Sequence, residues 1–280
     1  MLPLLAMLGW TLGALLVGAG FLHLLPRLGS IGKSISAACC RAPMLDLVIV
    51  YFTIAPLFVG PIVAGWRGLI GAVAGQVLTV LVWTAIHELA HPAARKGPRI
   101  LKYSNMLLGR WRNYTATWLT AIVTPSFFIV RMAEMFVYPP ISWLTGFPRY
   151  RDGDWVNVSR HKFSGLVGHD LIWCLYCDWM TGVWSLGTEM LRNVESFWCP
   201  IRFDSSKKCA HCSTDFPDVL HGWVPADANM ADVTRVLEQQ YPPTQLPRAW
   251  FGSPVRITVR GREADPRVNE ELAPVGANGD

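Results

Sequence analysis

The sequence predicts a mainly α-helical integral membrane protein. It has about three spanning helices plus an interfacial or re-entrant hairpin, and then a small cysteine-rich α+β domain outside the bilayer. Three observations lead there. The chain is 51% hydrophobic and only 16% charged, well below the roughly 25% charged of an ordinary soluble domain. Three long apolar stretches follow one another within the first ninety residues. Five of the seven cysteines lie within the 39 residues from Cys174 to Cys212.

Residues 2–25, LPLLAMLGWTLGALLVGAGFLHLL, carry no formal charge; residues 44–66 hold only Asp46 near their start; residues 68–86, GLIGAVAGQVLTVLVWTAI, are again uncharged. A helix needs about 20 residues at about 1.5 Å each to cross a hydrocarbon core about 30 Å thick, and each stretch approaches or exceeds that length. The first stretch lacks a basic leader and is longer than a usual signal-peptide core, so it is expected to be a retained anchor. The 13 tryptophans fit side chains that are dry at one end and wet at the other, as at a bilayer surface.

Arg27, Lys33 and Arg41 follow the first stretch, only Arg67 separates the second from the third, and Arg95, Lys96, Arg99, Lys102, Arg110 and Arg112 follow the third. The positive-inside rule then puts the N-terminus outside and the first and third of these loops in the cytoplasm of a multi-pass protein of the cell membrane. Residues 114–147 are apolar and aromatic but contain Pro125, Arg131, Glu134 and Pro139-Pro140. Arg131 and Glu134 are costly inside a bilayer unless they pair at their i, i+3 spacing. A hairpin returning to its own side accommodates them and keeps the cysteine-rich domain cytoplasmic; a full span would put that domain outside, where its cysteines can oxidise.

From Phe163 to Trp198 large apolar residues recur among Asp170, Asp178, Glu189, Arg192 and Glu195, which predicts an amphipathic helix or two on the membrane face or on the bundle. Residues 199–224 read as short strands and turns. Asn229 and Asp232 predict the capped start of a short helix ending near Tyr241, and the Pro-, Gly- and charge-rich tail beyond is expected to be disordered over its last fifteen residues. The resulting division is 1–92 transmembrane bundle, 93–162 basic loop and interfacial helices, 163–241 amphipathic helix and cysteine-rich domain, and 242–280 flexible tail.

The sharpest motif is His87-Glu88-Leu89-Ala90-His91 at the end of the third stretch. On a helix, i and i+4 set both imidazoles on one face, where His87 and His91 can hold a metal while Glu88 acts as general base on bound water. The alternative is structural: His87 and Glu88 satisfy each other or nearby backbone, and His91 closes the helix end. The wider string HELAHPAARKG resembles the first metal motif of site-2-type intramembrane metalloproteases. That resemblance, confined to about a dozen residues, implies zinc, a hydrolytic role, and a further aspartate ligand from an Asp-Gly segment in a later span. Asp152-Gly153 is the matching dipeptide here, in a polar stretch. A second local likeness is to membrane di-iron desaturases and hydroxylases, whose first histidine box can read H-E-x-x-H. Their full set of eight histidines exceeds the seven in this chain, which leaves a smaller iron site drawing on His161, His169, Asp170, Glu189 or Glu195.

Cys174-x2-Cys177, Cys199 and Cys209-x2-Cys212 form the second constellation. Each C-x-x-C can give two thiolates to a tetrahedral zinc from one turn, although the 31 residues between the pairs exceed common ribbon spacing. Cys199 and the segment Cys209-Ala210-His211-Cys212 can alternatively supply three ligands, with one more from Cys177 or His221, and Lys207 and Lys208 favour thiolates at the second pair. Disulfides, an iron–sulfur cluster, or plain apolar packing for Cys174 and Cys177 are the other readings. Cys39 and Cys40 receive no role. The tryptophans around the cysteines fit interfacial anchoring better than a lipid or pigment pocket.

No phosphate-cradling glycine loop, nucleophile elbow or basic–aromatic nucleic-acid pattern occurs. Two function classes remain. One is a membrane metal-dependent enzyme with zinc, or alternatively iron, at His87 and His91, hydrolysis standing ahead of oxygen chemistry. The other is a non-catalytic membrane subunit or assembly factor that docks a membrane-protein partner through a zinc-ribbon-like domain. A thiol redox role for either C-x-x-C is a third, weaker reading.

Overall fold

The computed structural model describes residues 1–147, 149–198 and 228–240. Among these the chain is mainly helical, and its single extended pairing is an isolated bridge between Arg41 and Asn157. Cys199, Cys209 and Cys212, the strands expected over 199–224, and the tail from 241 onward lie outside the described residues.

Three helical tracts are long and apolar enough to cross a bilayer, Leu2–Arg27, Met44–Ala90 and Arg110–Thr145. Their outward faces present Trp10, Val17, Phe21, Phe58, Ile62, Val63 and Ile129 uncovered, which lipid, rather than water, suits. Two compact units divide the chain, Met1–Thr124 with Val156–Gly182, and Pro125–Trp155 with the residues from Val183 onward. The units therefore interleave along the sequence.

In the first unit, helix α1 (Leu2–Leu24) ends at Leu25-Pro26, where proline cannot supply the next backbone donor. After α2 (Gly29–Cys39) comes α3 (Met44–Ile49), which runs through a π turn (Val50–Ile54) into α4 (Ala55–Ala90). Pro56 has no N–H to give the carbonyl of Phe52, and the side-chain amide of Gln76 donates to that oxygen at 3.0 Å and to Thr53 O at 2.6 Å. A half-buried amide thus satisfies backbone that lipid cannot.

The 47-residue tract Met44–Ala90 would be about 70 Å long if straight, twice what a bilayer needs. It reverses at Ala64 (φ −139°, ψ 22°) and Gly65 (φ 57°, ψ −147°). Only glycine takes the latter conformation cheaply. The two arms close on Gly60 and Gly68, each of whose backbones occupies the space a Cβ on the other would need. The second arm then runs parallel to α1, with Gly71 against Leu4 O and Met7, and Gly75 against Leu8 O and Thr11. Small residues let backbones approach where no hydrophobic effect drives helices together. The first arm is antiparallel to α1 and tied to it by Tyr51, whose hydroxyl donates to Ala14 O at 2.6 Å.

Short helices α5 (Pro92–Lys96) and α6 (Ile100–Leu108) lead to α7 (Arg110–Ala121). Helix α7 meets the start of α11 (His169–Trp198) through Trp118 on Trp173, ring centroids 5.5 Å apart, and Tyr176 OH on Thr120 O at 2.8 Å. The predicted amphipathic helix is thus present, but it begins at His169, not Phe163. Gly165 and Gly168 have φ of 91° and 52° and hold the preceding residues out of the helix.

The second unit contains most of α8 (Thr124–Met132), a π turn (Ala133–Val137), α9 (Tyr138–Thr145), α10 (Asp152–Trp155) and the later part of α11. Arg131 pairs with Glu134 at 2.8 Å, both buried, and with Asp152 at 2.8 Å. The i, i+3 pairing that the apolar tract demanded is therefore met. Asn193 donates to Tyr138 OH at 3.0 Å and Tyr150 OH at 2.7 Å. Helix α12 (Met230–Gln240) starts as expected: Asn229 Oδ1 accepts from Ala231 N at 2.8 Å, and Asp232 Oδ2 accepts from Asn229 N at 3.1 Å, a reciprocal cap.

Candidate functional site

Because the second arm of α4 runs parallel to α1, the ends of the two helices meet, and each brings a histidine. His87 and His91 stack with centroids 4.4 Å apart, and Trp83 stacks on the other side of His87 at 4.6 Å. His23 from α1 stands edge-on to both, at 6.0 Å from His87 and 6.5 Å from His91. Nothing in the sequence marks His23, since 63 residues separate it from His87 and only the helix pairing brings it there.

Hydrogen bonds define where each ring's lone pair points. His91 Nδ1 lies 2.9 Å from His87 O. A carbonyl only accepts, so Nδ1 carries the proton and Nε2 keeps its lone pair, the arrangement a metal-ligating imidazole uses. Gly168 N–H donates to His87 Nδ1 at 3.2 Å, which places the neutral ring's proton on Nε2. Arg27 Nη2 donates to His23 Nε2 at 3.2 Å. The lone pairs of His87 and His23 thus face different donors, and among the described residues no group of three His, Cys, Asp or Glu converges as a metal site.

Glu88 faces away from that trio into an ion-pair network. Its Oε1 takes Arg99 Nη2 at 2.9 Å and His169 N–H at 3.4 Å, and its Oε2 lies 3.8 Å from Arg95. Arg99 also donates to Asp170 Oδ2 at 2.9 Å and to Val167 O at 3.1 Å. The Arg99 and Asp170 side chains are each 4% exposed and that of Glu88 18%. Asp170 Oδ1 accepts from Leu101 N–H at 3.0 Å. Burial pushes the Asp170 carboxyl upward, but His169, Arg99 and Leu101 outweigh it and hold the group below the usual carboxylate range. Gly168 is required here, because the Glu88 side chain fills the place of its Cβ.

The other proposed ligands have separate partners. Asp170 is committed to Arg99, Glu189 to Arg192 at 2.6 Å, and Asp152 to Arg131. His169 lies against Tyr114, centroids 5.2 Å apart. Cys174 and Cys177 are free thiols, half-buried beside Arg160, which pairs with Asp178 at 2.7 Å. Arg160 is held in place because Asp178 Oδ2 accepts from Ser159 N–H and Arg160 N–H, each at 2.9 Å. On the other side of this segment, Ala42 N–H donates to Val156 O at 3.0 Å and Val158 N–H to Cys40 O at 2.9 Å. This places Cys40 Sγ 3.9 Å from His161 Nε2.

Burial raises the Cys174 thiol above its ordinary value despite Arg160, and burial and the neighbouring Cys39 raise that of Cys40. Both thiols are therefore expected to resist iodoacetamide at pH 7.5 and to alkylate severalfold faster at pH 9.5, read by peptide mass spectrometry. Fast labelling of Cys174 at pH 7.5 would show an activated thiolate and favour redox chemistry.

Arg99 and His23 are the site residues that sequence reasoning missed. Arg99 was visible only as one basic residue in a loop. Comparison with protein-family models, curated proteins and solved structures gives no match to this chain.

Proposed function

We propose that this chain is a multi-pass membrane metalloprotein whose HExxH segment holds zinc, or alternatively iron, where helices α1 and α4 end, and that it is a metal-dependent enzyme, hydrolysis ahead of oxygen chemistry. The observation that carries the reading is the pair of adjacent imidazoles, His87 and His91, with the Nε2 lone pair of His91 left unused by its backbone bond. For His87 to ligate, its ring must turn over or give up the Gly168 N–H. A metal bound there would polarise a substrate carbonyl or a water molecule. To serve as base Glu88 would have to turn back toward the histidines, through Oε2, whose contact is the half-exposed Arg95 at 3.8 Å. In this reading residues 114–147 return to their own side as a hairpin, the Arg131–Glu134 pair lowering the cost of burial, and the cysteine-rich domain with Cys199, Cys209 and Cys212 is cytoplasmic and holds a structural zinc.

One observation favours the second reading, a non-catalytic subunit that docks a membrane-protein partner through the cysteine-rich domain. Glu88 is already neutralised by Arg99, which makes it a weaker base and gives it a structural reason to be there.

Metal content per chain, measured by mass spectrometry on detergent-purified protein, decides whether the segment is a site. His91→Ala is expected to weaken retention of the HExxH metal by more than about 100-fold, since loss of even an outer-shell partner costs 10–100-fold. If wild type and His91→Ala carry the same single zinc, the metal belongs to the cysteines and the docking reading stands. Glu88→Gln then separates the classes, because glutamine keeps an acceptor for Arg99 but cannot take a proton. An enzyme loses cellular function at unchanged folding. A docking subunit tolerates the change and loses its partner on Cys209→Ser.

A further inference from the structure

We infer that helix α6 and the first turn of α7 form a membrane-surface face that takes acidic phospholipids, its apolar side chains dipping among the acyl chains and the basic residues around them meeting the headgroup phosphates. Whether or not the HExxH segment holds metal, α6 lies between two tracts long and apolar enough to cross a bilayer, Met44–Ala90 and Arg110–Thr145. The residues joining two such tracts belong at a bilayer surface.

Helix α6 turns its apolar face away from the protein. Ile100, Tyr103, Met106 and Leu107 recur at helical spacing on one side and are each more than half exposed, whereas Leu101, Ser104 and Asn105 are half-buried on the other. Two contacts fix that orientation. Leu101 N–H donates to Oδ1 of the buried Asp170 at 3.0 Å, and Asn113 Nδ2 on α7 donates to Asn105 Oδ1 at 2.9 Å. Just past the turn at Gly109 (φ 82°), Trp111 is 79% exposed. An outward apolar helix face with an aromatic residue at its end is costly in water and suits the boundary between headgroups and acyl chains.

The charge around this face has one sign. No acidic residue occurs between Glu88 and Glu134. Glu88 and Asp170 answer Arg95 and Arg99, but Lys96, Lys102, Arg110 and Arg112 are exposed, and no ion pair among the described residues includes any of these four. Lys102 Nζ donates to the carbonyls of Lys96 and Gly97, each at 3.1 Å, and Arg110 lies over the Tyr114 ring, 5.9 Å from its centroid. Carbonyls and rings orient a cation without neutralising it. Four such cations attract anionic headgroups, which adds selectivity to an apolar insertion that alone would take any lipid. A free phosphate would meet the cations only; the apolar face is what fits a lipid.

The test uses the full chain reconstituted in vesicles of phosphatidylcholine and phosphatidylglycerol, with one lipid or the other brominated on its acyl chains at equal mole fraction. Bromine quenches tryptophan on contact, and the difference between wild type and Trp111→Phe isolates the signal of Trp111. Both lipids are expected to quench it, brominated phosphatidylglycerol about threefold more strongly. That preference should vanish when Lys96→Gln, Arg110→Gln and Arg112→Gln are combined, and shrink at about 1 M salt, where the Debye length is about 3 Å. Trp10 on α1, followed through Trp10→Phe, is the control and should show no preference. Spin-labelled phosphatidylglycerol, expected to be immobilised more by wild type than by the triple variant, decides the question even if Trp111→Phe fails to fold. Equal quenching of Trp111 by the two lipids, or equal immobilisation by wild type and triple variant, means bilayer contact without headgroup recognition and overturns the inference. A Trp111 that neither lipid quenches also overturns it, since protein, from this chain or a second copy, then covers the face.

Discussion

Arg99→Met is expected to destabilise the first unit by about 3–5 kcal/mol, the cost of leaving a buried charge without its partner. Methionine matches the length of the arginine stem but makes none of its three hydrogen bonds, to Glu88, Asp170 and Val167 O. Asp170 bears most of the loss, because its side chain is 4% exposed and among the described residues no other cation contacts it except His169 when protonated, at 3.9 Å. Glu88 is 18% exposed and retains Arg95, so its share is smaller. The change is measured as a drop in the thermal unfolding midpoint of detergent-purified protein. Adding Asp170→Asn to Arg99→Met should restore part of it, since the uncompensated charge is then removed. A melt unchanged by Arg99→Met would mean that the network is solvated and contributes nothing.

The same network sets a pH dependence. The folded-state carboxyl of Asp170 is held low, so the stability it contributes is fully present above the unfolded value of about 3.9 and is lost as the pH falls through the folded value. Wild type should therefore lose stability on acidification below about pH 4 more steeply than the Asp170→Asn protein does.

Gly68→Val is expected to have an effect of similar or larger size on the helical hairpin of α4. A Cβ there runs into the carbonyl of Gly60 on the facing arm. Backbone cannot rotate out of the way, so the arms must separate along their length. Overpacking usually costs about 1–3 kcal/mol, and a backbone-to-backbone clash belongs at or above the top of that range. Separation also pulls the second arm from α1, where Gly71 and Gly75 seat it. The expected result is a protein that aggregates in detergent or melts well below wild type. Gly9→Val is the control, because nothing lies within 4 Å of the position its Cβ would take, and it should purify and melt like wild type. Equal behaviour of the two variants would rule out the close crossing at Gly60 and Gly68.

Much of this architecture is written locally. Apolar runs of about 20 residues determine helix and membrane preference. Pro26 ends the first helix, the break between the second and third stretches falls at Ala64-Gly65, close to Arg67 where it was expected, and Arg131 and Glu134 three residues apart find each other across one turn. The cap at Asn229 involves residues that are neighbours in the chain. Each is decided within a few residues, by backbone sterics or by the energy of an unmet polar group in an apolar surrounding.

The site was legible only by half. Four-residue spacing was enough to put His87 and His91 side by side, because helical geometry alone does that. Which way each ring points, and what Glu88 touches, depend on rotation of the helix against its neighbours, and no local pattern encodes that. Parallel packing of α4 on α1 through glycines brought in His23. The turn at Gly165–Gly168 brought Asp170 and, through it, Arg99, which drew Glu88 out of the histidine cluster. Cys174 and Cys177 read as a metal pair by spacing, yet the segment joined to Cys40–Ala42 carries Arg160 beside both thiols. The sequence by itself determined a mainly helical chain with stretches long and apolar enough to cross a membrane, and two imidazoles on one helix face. Only the tertiary structure decided their company, because close contacts between distant segments are set by packing and charge pairing across the fold.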